Sequence, residues 1–402
     1  MQVDVEIPYG AYWSSPFVRW QGALADLHSL EFAAHLGRAA LSARNIDPTA
    51  FDMGVLGMTV PQKGSFYGLP WLMGMMGADT VPGPTINQAC ASGARILSLA
   101  GDEVARGRAQ CVLAIAADRV SNGPQMLYPA PHAPGGAAES ENWVLDNFAR
   151  DPLAGCAMVD TAENVARRYG ISKEEQHDLV LMRYAQYQDA LADDRAFQRR
   201  YMPLPLELPG KGRAKGAILQ GDEGVFPTTA DKLAGLKPVR EGGTVTYASQ
   251  THPADGTAAI VVTTGEKARE MSRDPALRIT LVATGQSRTE RAYMPEAPIP
   301  AARQALQAAG LSIADMAAIK SHNPFAVNDI AFCRAFGIDP ASMNNYGCSL
   351  IWGHPQAPTG VRAIIELIEE LVIKGGGYGL FQGCAAGDSA MSVIVKVEDR
   401  RP

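Results

Sequence analysis

Residues 81–117, VPGPTINQACASGARILSLAGDEVARGRAQCVLAIAA, decide the fold. VPGPTINQ reads as extended chain. In ACASGARILSLAGDEVARG the apolar residues Leu97, Ala100 and Val104 recur at helical spacing. CVLAIAA then gives a continuously apolar run, the pattern of a buried strand. Strand, helix and strand in this order make a βαβ unit. Cys90 falls just before the helix. There the first helical amides and the helix dipole favour a thiolate and lower its pKa. The same amides are placed to bind a developing oxyanion. The competing reading is a small Cys buried at a helix start for packing alone.

Working outward, residues 24–44 (LADLHSLEFAAHLGRAALSAR) read as a helix and 52–58 (DMGVLGM) as a short strand. Residues 119–240 have a different texture. They hold YPAPHAPGG, a long polar helical run from Asp160 to about Tyr201, and PLPLELPGKGRAKG. This reads as an insertion, a cap or lid over a site. From Gly243 strand-like runs return as TVTYASQ, TAAIVVTTG and LRITLVATG. A helix at 300–309 stops at Gly310, and IKSHNPF follows like the end of another strand. A helix near 361–373 then leads into GGGYGLFQGCAAGDSAMSVIVKVE. The two ends of the core resemble each other in outline, without a repeat of fixed period.

The length of 402 residues suits two or three packed units. Hydrophobic residues at 47% against 19% charged support a large core. A net charge of −6 disfavours non-specific nucleic-acid binding, which needs a basic face. No apolar run approaches the ~20 residues of a membrane span, and MQVDVEIPYG lacks the features of a secretory signal. The six cysteines form no CxxC pair, which argues against a zinc ribbon or disulfide framework and for a reducing cytoplasm. No GxGxxG follows a strand, which disfavours a dinucleotide-binding oxidoreductase.

Four further residues sit where chemistry is performed. His354, in GHPQAPTG, precedes a helix; a neutral imidazole there could take a thiol's proton and return it. Cys384, in GCAAGDSA, lies among small residues that let a substrate approach, and a thiol can exchange a proton with carbon. His322, in SHNPFA, can donate to a carbonyl oxygen or hold a water. His252, in SQTHPADG, is a lesser candidate. Each alone is more often a structural residue.

Together the blocks NQACASG, SHNPFA, GHP and CAAG, in this order and spacing, resemble the four active-site blocks of thiolases. DTAENVARRYGISKEEQHDLVLMRYAQ resembles the thiolase loop domain, and LAGLKPV with GGTVTYAS the return to the core. PIPAARQALQAAGLSIADM and NNYGCSLIWGHP match as well. The resemblance implies an α/β thiolase fold: two similar βαβαβαββ halves in αβαβα layers with an inserted loop domain. The implied division is 1–118 completed by 241–270 for the first half, 119–240 for the coenzyme A-binding loop domain, and 271–402 for the second half. It implies that Cys90 holds the acyl group, His354 activates it, and Cys384 moves the α-carbon proton. The amides of Cys90 and Ala386 would form one oxyanion hole, and His354 with His322 or its water the other. Ser249 would touch the pantetheine arm, Met158 would line the pocket, and Lys237 would lie near the nucleotide. Coenzyme A is then a substrate, with no permanent cofactor or metal, and a homodimer or homotetramer is implied.

The departures from the family cluster around the substrate. The common NEAFA reads HNPFA, so His322 replaces Asn, as in the minority related to sterol-carrier proteins. CxGxG has become CAAGDS, NASGINDG has become the longer YASQTHPADG, and GHPxGxSG reads GHPQAPTG. They suggest an unusual acyl group. One fit is the divergent thiolase type that cleaves benzoylsuccinyl-CoA and works with a small zinc-binding OB-type partner. Tyr247, His252 and Tyr346 would shape an aromatic site and Arg288 would meet a carboxylate. The rivals are a decarboxylating condensing enzyme of the same superfamily, which lacks the second Cys, and a non-catalytic thiolase-fold scaffold or lipid carrier.

Overall fold

The computed structural model describes residues 4–210 and 216–401. Residues 211–215, part of PLPLELPGKGRAKG, lie outside the described residues. Nine strands follow one path: β1 (Val5–Glu6), β2 (Met53–Gly57), β3 (Thr85–Ile86), β4 (Cys111–Arg119), β5 (Ala254–Thr264), β6 (Leu277–Arg288), β7 (Met316–His322), β8 (Gly376–Ala385) and β9 (Ser389–Asp399). Their order is β7-β8-β9-β6-β1-β5-β4-β2-β3. β1 splices two wings together, Val5 pairing with Thr264 and Glu6 with Thr280. The run CVLAIAA is buried throughout, as a strand covered on both faces requires.

Two helices fill the space between the wings: α2 (Ser92–Ala105) and α7 (Ala357–Ile373). They approach at glycines. A Cβ on Gly93 would meet the Ala357 carbonyl oxygen at 2.5 Å, so only glycine allows this contact. α1 (Ser29–Ser42) covers the outer face of the first wing and α5 (Pro298–Ala309) that of the second, which completes an αβαβα layering. α7 is buried on every side. Its charges survive there only because they are paired: Arg362 bonds Asp222 at 2.6 Å and Glu366 at 3.0 Å. Asp222 belongs to the inserted segment, so this pair ties the insertion to the core.

Among the described residues, 120–253 add no strand to the large sheet. Their hairpins, Gln125–Tyr128 with Glu139–Asn142 and Leu206–Glu207 with Ile218–Leu219, pair only within themselves. The expected single polar helix is two. α3 (Met158–Tyr169) stops at Gly170 in the left-handed region (φ 62°), and α4 (Lys173–Arg199) starts anew with the Ser172 hydroxyl accepting from the Glu175 amide. The backbone of α4 also leaves helical geometry at Ala192–Arg195. TVTYASQ is a turn, not a strand. Ser249 Oγ accepts from Thr246 N at 2.8 Å, a local bond that competes with strand pairing. The helix expected from residue 24 starts at Ser29, where His28 caps it. Among the described residues no helix is long and apolar enough to cross a membrane.

Candidate active site

The elbow that carries Cys90 is built locally. Ala89 takes a left-handed conformation (φ 45°), Asn87 Oδ1 accepts from its amide at 2.9 Å, and Gln88 N donates to Ser92 Oγ at 2.8 Å. These bonds turn the chain sharply from β3 into α2 and leave Cys90 part-open to a cavity of about 1170 Å³. The amides of Cys90 and Ala386 both reach Sγ and favour its thiolate. Burial opposes them and wins, pushing the resting thiol up to about 12.

Two histidines face this sulfur from the other wing. His322 ends β7, and its Nδ1 is held by Ser349 Oγ at 3.0 Å. His354 Nδ1 is held by Thr359 Oγ1 at 2.6 Å. The rings stack at 4.0 Å. With each Nδ1 engaged, each Nε2 is left buried and without a partner among the described residues. Cys90 Sγ and one nitrogen of each ring lie within 4.8 Å of one another. Burial holds His322 down to about 3; burial and then the neighbouring His322 hold His354 well below its usual range. Both imidazoles are therefore neutral at pH 7, and with the ring proton on Nδ1 each Nε2 is free to accept one. Three such atoms could also hold a metal by number. Near-parallel rings, however, set their nitrogens side by side, whereas a tetrahedral ion needs them convergent.

Cys384, next to last in β8, is fully buried, with Asn328 Nδ2 of α6 (Ala326–Phe336) donating to Sγ at 3.3 Å. Its thiol is pushed well above the ordinary range by burial and then by Cys90. Ala386, two residues on, lines the cavity.

The His354 loop is held by distant chain. His354 N donates to His252 O at 2.9 Å, and Ala357 N donates to Asp118 Oδ2 at 2.9 Å. Asp118, at the end of β4, also receives both donors of Thr59 and the Val60 amide. Burial still raises its carboxyl to about 7. Gly353 (φ 95°) must be glycine, since a Cβ there would meet His252 Nε2 at 2.7 Å. Gln356 places Oε1 3.2 Å from Cys90 Sγ, which donates to it.

The structure thus brings Cys90, His322, His354, Cys384 and Ala386 together, and Met158 and His252 line the cavity. It does not bring in the others. Ser249 is buried, its hydroxyl spent in the 246–249 turn. Lys237 is exposed outside the cavity, and Lys232, five residues earlier, lines it instead. Arg288 is exposed and bonds the Gly387 carbonyl at 3.1 Å. Tyr346 stacks on Phe197 at 3.9 Å, away from the cavity. Tyr247 does line it, and the further aromatic wall comes from Trp20, Trp143, Phe148, Phe226 and Phe325, with Arg19 among them. Sequence reasoning also missed Asp118, Ser349, Thr359 and Gln356. Only Asp118 carried a signal, a lone carboxylate closing an apolar strand.

Residues 12–266 match the family model described as thiolase, N-terminal domain, and residues 276–397 the one for thiolase, C-terminal domain. The acetyl-CoA acetyltransferase of Escherichia coli is 30% identical over 387 residues, covering 94% of this chain and 95% of that protein. A steroid 3-ketoacyl-CoA thiolase of Mycobacterium tuberculosis is 27% identical, covering 93% and 90%. The crystal structure of human mitochondrial 3-ketoacyl-CoA thiolase superposes with a TM-score of 0.89 at 27% identity, over 98% of this chain and 99% of that one. The same human enzyme in complex with CoA gives 0.88 at 26% identity, over 98% of each chain.

Proposed function

The chain belongs to the thiolase family, and on that premise we propose that it cleaves a 3-oxoacyl-CoA, or condenses two acyl-CoAs, through an acyl-Cys90 intermediate. It is an acyltransferase with coenzyme A as substrate. The observation that carries the residue roles is the pair of buried imidazole nitrogens beside Cys90, without partners among the described residues.

In the cleavage direction, His354 Nε2 takes the Cys90 proton and Sγ attacks the 3-oxo carbon. The Cys90 and Ala386 amides bind the oxyanion that forms there. The C2–C3 bond then breaks, and its electron pair becomes the enolate of the departing acyl-CoA. That enolate oxygen accepts from His354, now protonated, and from a water held on His322 Nε2. Cys384 gives its proton to the α-carbon. Free coenzyme A finally attacks the thioester on Cys90, its thiol proton passing to the Cys384 thiolate, and the departing Cys90 thiolate takes its proton back from His354. Splitting the transfer at a thioester replaces one hard step with two easier ones. The domain division given above, with 119–240 as the coenzyme A lid, belongs to this reading.

For the acyl group we propose an aromatic, carboxylated 3-oxoacyl-CoA such as benzoylsuccinyl-CoA. Trp20, Trp143 and Phe148 offer rings to an aromatic substrate, and Arg19, which has no ion pair among the described residues, takes the place of Arg288 as the carboxylate's partner. Self-association as a dimer or tetramer fits the bare Phe66 and Tyr67, 94% and 71% exposed. A cytoplasmic location and a small zinc-binding OB-type subunit for the aromatic substrate complete the reading. The test is thiolysis of a panel of 3-oxoacyl-CoAs by the purified protein. Preference for the aromatic dicarboxylic substrate over acetoacetyl-CoA supports the acyl assignment. Equal or better turnover of acetoacetyl-CoA contradicts it and leaves the cleavage chemistry standing.

A further inference from the structure

We propose that Gln356 is a positioning residue that holds the resting Cys90 thiol on its carboxamide, away from the two imidazoles, until a thioester displaces it. This rests on the reading of Cys90 as nucleophile. In the structure Cys90 donates its proton to Gln356 Oε1 at 3.2 Å, while His354 Nε2, the base meant to receive it, and the neighbouring His322 Nε2 have no partner among the described residues. The contact is built rather than incidental. Gln356 is 6% exposed and lines the cavity. Its backbone sits at φ 58°, ψ −108°, a region that costs any residue with a Cβ and persists only where the surroundings enforce it. They do so on both sides: His354 N is tied to His252 O, and Ala357 N to Asp118. Between these anchors the side chain is aimed at Sγ. No other hydrogen bond of the carboxamide occurs among the described residues.

A thiol that donates to a carbonyl is stabilised against its thiolate. Gln356 therefore raises the threshold for deprotonation and shields Cys90 from stray electrophiles. A thioester entering the site competes for the space over Sγ, and the proton is released toward His354. The other groups facing Sγ are Asp118 from β4, His322 from β7, His354 from the loop before α7, and Cys384 and the Ala386 amide from β8 and its turn. All of them stay in place when Gln356 alone is changed.

The test is the pH dependence of Cys90 alkylation by iodoacetamide, read by mass spectrometry on the Cys90 peptide. It compares the wild type, Gln356→Leu and Gln356→Glu, with thermal unfolding recorded for each. Leu removes the acceptor at similar volume. The expected result is a midpoint lower by about half to one pH unit, and alkylation roughly 3- to 10-fold faster below it, the size of one hydrogen bond. Glu sets a carboxylate against the sulfur and moves the midpoint up. Coincident midpoints in three folded proteins overturn the proposal. So does an upward shift in Gln356→Leu, which would mean that the amide nitrogen faces the sulfur. Acylation of wild-type Cys90 by a panel of 3-oxoacyl-CoAs, acetoacetyl-CoA and the aromatic dicarboxylic substrate both included, run alongside, keeps the two readings separate. Acylation with coincident midpoints sinks only the role of Gln356, and absence of acylation sinks the nucleophile reading.

Discussion

The elbow at 87–92 and the loop at 353–359 face each other across one sulfur, yet they are held in different ways. The elbow is fixed by its own neighbours: Asn87, Gln88 and Ser92 bond within five residues of one another, and α2 follows at once. The loop is fixed from afar, by His252 in the turn before β5 and by Asp118 at the end of β4. A locally determined turn keeps a nucleophile in one orientation. A turn clamped by two distant segments keeps a base in register with it, and transmits any loosening of those segments to the chemistry.

Substitutions can break or sharpen this contrast. The largest effect belongs to the elbow's own sulfur: Cys90→Ala should lower thiolysis by on the order of 10⁴-fold or more, with the cavity and fold intact. Next is the loop's base. His354→Ala should cost about 10²–10⁴-fold in kcat, measured in steady-state thiolysis. Loosening the clamp comes third. In Asp118→Asn an amide NH2 or a single carbonyl must serve four donors, so the Ala357 amide loses its acceptor. A loss of about 1–3 kcal/mol in denaturant unfolding is expected, with kcat falling more than KM rises. An unchanged kcat would show that the loop does not need its distant anchor. Smallest is Arg19→Gln, which should raise KM several-fold for a carboxylated acyl-CoA and leave acetoacetyl-CoA untouched; equal effects on both would remove Arg19 from the acyl site.

The same contrast explains what the sequence disclosed. Cys90, at the start of a helix whose apolar spacing is unambiguous, was legible because its geometry is local. His354, His322 and Cys384 were legible through the order of their blocks, and the layered α/β fold followed from the same order. The contacts that come from chain far away were not legible. Arg288 and Tyr346 looked like substrate residues, yet Arg288 ends β6 on the solvent side and Tyr346 is claimed by Phe197 of the insertion. Trp20 and Trp143 carry no motif, and only the packing of the insertion over Val60 brings them to the cavity. The Thr and Ser hydroxyls of 244–249 turned an expected strand into a tight turn and drew Ser249 away from the cavity. Gln356 is invisible until its backbone conformation is seen.

The central claim is that Cys90 carries the acyl group. The direct measurement is rapid mixing of the protein with acetoacetyl-CoA without free coenzyme A, acid quench, and mass spectrometry of the peptides. An acetyl adduct is expected on the Cys90 peptide that disappears when coenzyme A is added, and none in Cys90→Ala. An adduct on another residue, or full turnover by Cys90→Ala, would contradict it.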